Sequence, residues 1–90
     1  MPSKHNRLGM KADKIEFVFN KTLDDMRLSQ TQFILESGIR PATVNAWYNG
    51  LAKQVDLLTL QFALETLNRL SQQYKLNKVY SIEDIFYYKE

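Results

Sequence analysis

The sequence predicts an all-α fold: a compact bundle of about five helices, with one short strand near the N-terminus as an alternative. Two observations carry this prediction. Hydrophobic residues recur every three or four positions in several segments, and glycine, proline or capping residues separate those segments. The 90 residues are enough for one hydrophobic core and too few for a second domain. We therefore expect a single domain over residues 13–90, preceded by a flexible basic segment over residues 1–12.

The first helix is predicted over residues 14–26, where apolar side chains follow a helical stripe and Asp13 precedes Glu16 at the spacing of a capping box. A second interpretation takes the segment IEFVF, residues 15–19, as a short strand, because its residues favour β-structure and alternate. In that case the helix starts after Asn20. Both interpretations stay open from the sequence alone.

The middle of the chain is rich in residues that start and stop helices. Ser29 is a suitable N-cap for a second helix over residues 30–37, and Gly38 can adopt the left-handed conformation that closes it. Pro41 suits the first turn of a third helix over residues 41–49, because its missing N–H costs nothing there.

The third helix has a defined inner face and a defined end. Val44 and Trp47 lie three residues apart, so we expect both to point into the core. The Asn-Gly pair at residues 49–50 should end the helix. Two short helices joined by a turn of about four residues that contains glycine form the arrangement of a helix-turn-helix.

The strongest helical pattern follows Asp56, which is a plausible N-cap. Its apolar stripe is formed by Leu57, Leu60, Leu64, Leu67 and Leu70 or Ser71. After a weakly periodic connection, Ser81 and Asp84 suit the start of a short fifth helix. We expect the apolar face of that helix to comprise Ile82, Ile85 and Phe86.

Composition narrows the chemistry. The chain has no cysteine and a single histidine, so disulfides, thiolate metal sites and a cysteine nucleophile are excluded. The adjacent carboxylates at residues 24–25 and 83–84 point in different directions on a helix, and no nucleophile or metal-binding set accompanies them. No apolar run is long enough to span a bilayer, and no signal sequence is evident. We therefore expect a cytoplasmic protein that has no membrane contact, is not an enzyme and needs no metal or cofactor.

The charge is compatible with a nucleic-acid partner without requiring one. The formal net charge is +2, with basic residues concentrated in the first 14 positions and acidic residues in the last nine. The basic segment is interpreted as a solvated terminus, and the alternative is an arm that lies along phosphates.

A helix-turn-helix suits double-stranded DNA for a geometric reason. The major groove is about 12 Å wide and admits one helix, which needs a polar outer face and apolar bracing behind it. Arginine can donate two hydrogen bonds to guanine, asparagine can pair with adenine, and the methyl groups of alanine or threonine can contact thymine. The third helix and the residue before it offer side chains of all these kinds.

The segment LSQTQF…GIRPATVNAWYNG resembles bacterial and phage Cro/repressor-type (Xre-type) helix-turn-helix proteins, which have the lambda repressor-like fold. The similarity rests on the Leu-Ser-Gln opening, the Gly-Ile turn, the Thr-Val pair and the closing Asn-Gly, and it extends more loosely to VDLLTLQFAL and DIFYY. The sequence departs from the family at Ile34, where a small residue is usual, and at Arg40, where serine or threonine often caps the helix. The resemblance implies a transcriptional regulator, usually a repressor, that binds a double-stranded DNA operator as a homodimer.

The resemblance also implies which residues contact DNA. Those turned toward the bases are Arg40, Pro41, Ala42, Thr43, Asn45 and Ala46. Those at the phosphate backbone are Ser29, Gln30, Tyr48, Asn49 and Lys53. For Tyr48, packing against the fourth helix is the alternative.

A protein-binding regulator, such as an antirepressor or an antitoxin-type module on the same scaffold, is the rival interpretation. Apolar and aromatic residues of the kind found at interfaces favour it, namely Phe17, Leu58, Phe62, Tyr80, Tyr87 and Tyr88. The same residues would equally complete a small core.

Overall fold

The structure, a computed structural model that describes residues 13–90, contains four α-helices and a two-stranded antiparallel sheet. In chain order the elements are β1 (Ile15–Phe17), α1 (Phe19–Met26), α2 (Gln30–Ser37), α3 (Pro41–Tyr48), α4 (Leu57–Gln73), a 3₁₀ turn (Ile82–Asp84) and β2 (Phe86–Tyr88). The mainly helical character is confirmed, whereas the prediction of a five-helix bundle is wrong. The segment predicted to be flexible, residues 1–12, lies outside the described residues.

The amino-terminal part of the described chain forms β1 rather than the start of a helix. It pairs with β2, with Ile15 opposite Tyr88 and Phe17 opposite Phe86. The centroids of the Phe17 and Phe86 rings lie 5.5 Å apart, so aromatic packing adds to the pairing. The prediction of a helix over residues 14–26 is therefore wrong in its first part, and the alternative, a short strand within residues 15–19, is confirmed.

Helix α1 begins at Phe19, close to the start after Asn20 that the strand interpretation predicted. The capping box predicted from Asp13 and Glu16 does not form, because the backbone between them and the helix is extended. The Glu16 carboxylate instead lies 3.5 Å from Lys89 Nζ, at the end of β2. Helix α1 therefore spans only eight residues.

The 3₁₀ turn and β2 take the place of the predicted fifth helix. Ser81 N donates to Asp84 Oδ2 at 2.9 Å, and Asp84 N donates to Ser81 O at 2.9 Å, so the predicted start signal does form a turn. The turn does not continue as a helix because Phe86–Tyr88 pair with β1. Ile85 enters the core, whereas Ile82 is exposed.

Apolar residues from all the helices described above meet in one core. Its most deeply buried members are Phe19, Leu23, Phe33, Val44, Trp47, Ala63, Leu67, Leu70 and Ile85. The Phe19 ring is central, because it meets the rings of Phe33 and Trp47 edge-on, with centroids 5.1 and 5.7 Å away. These contacts tie α1 to both α2 and α3.

The boundaries of α2 and the start of α3 match the prediction. Ser29 Oγ accepts a hydrogen bond from Gln32 N at 3.0 Å. Gly38 follows α2 with a φ of 73°, the left-handed conformation expected of a closing glycine. Pro41 is the first residue of α3, which ends at Tyr48, one residue earlier than predicted.

Helix α4 starts at the predicted cap, since Asp56 Oδ2 accepts a hydrogen bond from Thr59 N at 2.9 Å. Its apolar stripe is buried at Leu60, but Leu57 is 80% exposed. That part of the prediction is wrong because Leu57 is the first helical residue and lies before the turn that reaches the core. None of the helices within residues 13–90 is both long and apolar enough to cross a membrane.

The connection after α4 is bound back to that helix through side chains. Tyr80 N donates to Asn68 Oδ1 at 2.7 Å, and Asn68 Nδ2 donates to Tyr80 O at 3.1 Å. Ser71 Oγ also donates to Lys78 O at 2.6 Å. These bonds direct the chain toward β2 and bury the Tyr80 ring.

Candidate nucleic-acid interface

Helices α2 and α3 are joined by a turn of three residues, Gly38 to Arg40. The left-handed Gly38 reverses the chain, and its N–H donates to Ile34 O at 2.9 Å. Ile39 is buried, so the turn is anchored to the core rather than free in solvent. This anchoring fixes the direction in which α3 leaves the turn.

The face of α3 turned away from the core is formed by Ala42, Asn45 and Ala46. Successive residues are about 100° apart around a helix, so these three lie opposite the buried Val44 and Trp47. Ala42 and Asn45 are exposed, and Ala46 is half-buried. Within residues 13–90 the side-chain amide of Asn45 has no hydrogen-bond partner, although its backbone oxygen is bonded. The amide is therefore available to an external group.

Arg40 and Pro41 lie at the exposed amino-terminal end of α3. Arg40 occupies the N-cap position without a side-chain capping bond, as its residue type suggested. The ion pairs within residues 13–90 do not involve its guanidinium. Thr43, one turn further on, is half-buried. The six residues predicted to face the bases thus all retain some exposure on one short segment.

The residues predicted at the phosphate backbone lie at the ends of α2 and α3. Ser29 Oγ is engaged in capping α2, and Gln30 is the first residue of that helix. Asn49 Nδ2 donates to Asn45 O at 3.0 Å and helps to end α3. Lys53 is exposed in the loop that follows. Among residues 13–90, Gln30 and Lys53 therefore have polar side-chain groups without a partner, whereas Ser29 and Asn49 already serve a helix end.

Tyr48 has a partner that sequence analysis missed. Its hydroxyl donates to Asp24 Oδ1 of α1 at 3.0 Å. This hydrogen bond, with smaller effects of burial and of the Asp24 charge, raises the pKa of Tyr48, so the phenol is neutral at physiological pH. A carboxylate beside the hydroxyl disfavours a phosphate at the same place. No local signal links two residues that are 24 positions apart.

The charges around α3 lie at its margins. No residue of Pro41–Tyr48 is charged, whereas Arg40 precedes the helix and Lys53 follows it. Elsewhere Arg69 pairs with Glu36, with 3.0 Å between Nη1 and Oε1. The face of α3 is therefore neutral at its centre, and its margins carry the cations Arg40 and Lys53 as well as the Asp24 carboxylate beside Tyr48.

The residues predicted at a protein interface separate into different environments. Those with exposed side chains are Leu58 and Phe62 on α4 and Tyr87 and Tyr88 on β2. Phe17 is half-buried against Phe86, and Tyr80 is only 5% exposed, so both contribute to the core. Burial, assisted by the negative charges of Asp84 and Asp25, raises the pKa of Tyr80. Two separate exposed groups remain, one on α4 and one on β2.

Comparisons of the chain with protein families, with curated proteins and with solved structures found no significant match. The resemblance to Cro/repressor-type proteins accordingly stays a prediction from the residues of the helix-turn-helix.

Proposed function

We propose that this protein is a cytoplasmic transcriptional repressor that binds specific sequences of double-stranded DNA by inserting α3 into the major groove. One observation carries the proposal. Helix α3 is the second of two helices joined by an anchored three-residue turn, and it presents an exposed, uncharged face directly opposite its buried anchors. A groove about 12 Å wide admits such a helix when it is braced from behind.

The proposed base contacts follow from side-chain chemistry. The Arg40 guanidinium offers two parallel donors, which match the N7 and O6 acceptors of guanine. The Asn45 amide can both donate and accept, which matches N6 and N7 of adenine. Methyl groups of Ala42, Thr43 and Ala46 fit the methyl group of thymine, and Pro41 contributes apolar surface at the start of the helix.

The proposed phosphate contacts position α3 rather than select a sequence. Gln30 lies at the amino-terminal end of α2, where helix N–H groups favour an anion. Lys53 supplies a positive charge on the other side of α3. Ser29, Asn49 and Tyr48 would contribute at the periphery, and for Tyr48 the hydrogen bond to Asp24 has to open or reorient.

We propose that the active form is a homodimer. One small module buries too little surface for tight and selective binding to DNA. Two copies related by a twofold axis would place two α3 helices in successive major grooves about 34 Å apart on an inverted repeat. Sedimentation in the presence of a selected duplex tests this part, since a complex with a single protein chain is incompatible with it.

The decisive experiment selects preferred sites from random duplexes and then measures affinity against salt. Neutralised phosphates release counterions, so affinity for any duplex should fall steeply as salt rises. On the selected site, Arg40→Ala and Asn45→Ala should each cost on the order of 1 to 3 kcal/mol and relax the preference at one base pair.

Gln30→Ala is the matched control, because it removes a proposed phosphate contact. It should weaken selected and random duplexes to the same extent. Equal losses on both kinds of duplex for Arg40→Ala would remove Arg40 from the base-reading residues. Absence of salt-sensitive binding to any duplex at low ionic strength would refute DNA binding itself.

A protein-binding regulator is the second candidate, and exposed apolar side chains favour it. Leu35, Leu57 and Leu58 all have more than half of their surface exposed, and a protein partner that covered them would remove this apolar surface from water. Leu58→Asp should abolish binding of a protein partner while leaving duplex binding intact. The DNA-binding proposal predicts that substitutions on α3 impair function more than substitutions of these exposed leucines do.

A further inference from the structure

The side chains on the outward face of α3 favour particular base pairs. We infer that the preferred half-site has an A·T-rich centre, which α3 reads through thymine methyl groups and one adenine. This inference rests on the proposed DNA-binding function and extends it from a binding mode to the kind of sequence bound.

The first step concerns the two alanines. Ala42 and Ala46 are four residues apart, so their methyl groups lie on one stripe of α3, on the side opposite Val44 and Trp47. Their side chains are short, so the helix backbone can approach the floor of the groove. Methyl groups form no hydrogen bonds, and the contacts at the centre of the face are therefore apolar.

The second step compares what the four base pairs present to those methyl groups. Thymine carries an apolar methyl group in the major groove, whereas guanine and cytosine present only acceptors and a donor there. A methyl group of alanine placed against guanine or cytosine displaces water from polar atoms without replacing their hydrogen bonds, which is unfavourable. Thymine is therefore the base favoured opposite Ala42 and Ala46.

The third step concerns Asn45, which lies on the same face, beside the stripe of the two alanines. It is exposed, and its amide has no partner within residues 13–90. Adenine presents a donor and an acceptor side by side in the major groove, and an asparagine amide matches this pair. The hydrogen bonds between Asn45 and adenine would thus add a polar contact beside the apolar contacts with thymine.

The fourth step places guanine at the margin. No lysine or arginine lies within Pro41–Tyr48, and the cation nearest to this face along the chain is Arg40. Asn45 lies five positions after Arg40, which corresponds to about 7.5 Å along the helix axis. That distance is about two base-pair steps. A guanine read by Arg40 therefore lies beside the A·T-rich centre rather than within it.

The experiment removes the thymine methyl group without changing base pairing. Affinity is measured for the selected duplex and for versions in which each central thymine is replaced by deoxyuridine. At each contacted position the substitution should weaken binding about four-fold, the equivalent of one buried methyl group. Ala42→Gly removes the facing methyl group from the protein, so the penalty at its position should fall toward one-fold.

Two controls keep the result interpretable. Ala42→Ser provides a second variant in case glycine destabilises α3, and it should likewise reduce the deoxyuridine penalty at that position. Gln61→Ala changes an exposed residue of α4 that lines a groove with no α3 residue, and it should leave every penalty unchanged. Folding of each variant is checked by circular dichroism.

The outcomes separate this inference from the proposed function. Selected sites with an A·T-rich centre and a deoxyuridine penalty that Ala42→Gly abolishes support it. Selected sites with a G·C-rich centre, or affinity that is indifferent to deoxyuridine, overturn it while DNA binding stands. Failure to bind any duplex refutes the proposed function and the inference together.

Discussion

Residues 28–56 and residues 74–88 differ in what determines where their structural elements begin and end. In the first segment the ends of the helices are determined by residues directly beside them, since Ser29 caps the start of α2 and Gly38 closes its end. Trp47 then anchors α3 in the core. In the second segment the backbone is held by distant partners, since Asn68 binds Tyr80 and β2 pairs with β1. The ends of α3 are thus set by residues close to it in the chain, whereas the sheet depends on pairing between distant segments. Damage to the core beneath α3 should therefore affect the whole domain, whereas loss of the hydrogen bonds that hold the second segment should mainly loosen the sheet.

The largest effect is expected from Trp47→Ala. Trp47 is 2% exposed and packs on Phe19, so its removal opens a cavity where α1 and α3 meet. Loss of a large buried aromatic residue typically lowers the free energy of unfolding by about 3 to 5 kcal/mol. Urea denaturation followed by circular dichroism measures the change.

Asn45→Ala is the matched control on the opposite side of α3. It removes an exposed side chain without a partner in residues 13–90, so the free energy of unfolding should change by no more than about 0.5 kcal/mol. Comparable losses for Trp47→Ala and Asn45→Ala would contradict the assignment of inner and outer faces on α3.

An intermediate effect is expected from Asn68→Ala. The variant leaves the N–H and the carbonyl of the buried Tyr80 without their partners, which should lower the free energy of unfolding by about 1 to 3 kcal/mol. Hydrogen exchange should become faster for amides of β1 and β2, while amides of α3 keep most of their protection.

Gln72→Ala, one helical turn further along α4, is the control for that experiment. Gln72 is exposed, so its substitution should leave both stability and exchange close to those of the original protein. If Asn68→Ala accelerated exchange in α3 as much as in β2, the two segments would be one cooperative unit and the contrast between them would disappear.

The same contrast explains what the sequence could predict. Several helix boundaries follow from local chemistry, because the residues that determine them act within a few positions of themselves. These residues are Ser29, Gly38, Pro41 and Asp56. The strand formed by residues 86–88 depends on pairing with β1, which no local period encodes.

Some features of the candidate site could likewise be predicted from the sequence, and others could not. The outward face of α3 could be derived from the spacing of Val44 and Trp47, because a helix has a fixed period. The hydrogen bond between Tyr48 and Asp24 could not, since it joins two helices through side chains. The exposure of Leu57 was missed for a related reason: a helical stripe does not reveal where along a helix the contact with the core begins.

The smallest effect is expected from Asp56→Asn, which removes the negative charge of the residue that caps α4. Hydrogen bonds from the backbone N–H of Thr59, and then from its hydroxyl, lower the pKa of Asp56 below the ordinary value for aspartate. The folded protein therefore binds the proton less readily than the unfolded chain. The contribution of this carboxylate to stability is fully present above its unfolded pKa, about 4, and is lost as the pH falls through its folded pKa.

Asparagine caps a helix about as well as aspartate, so Asp56→Asn should change stability little at pH 7. Because asparagine does not titrate, the variant should lose less stability than the original protein when the pH is lowered from 6 to 3. Thr59→Val removes only the side-chain hydrogen bond and should flatten the pH dependence in part. Urea midpoints measured across this pH range provide the comparison. A pH dependence unchanged in Asp56→Asn would mean that folding does not lower the pKa of Asp56 and that its negative charge does not stabilise the start of α4.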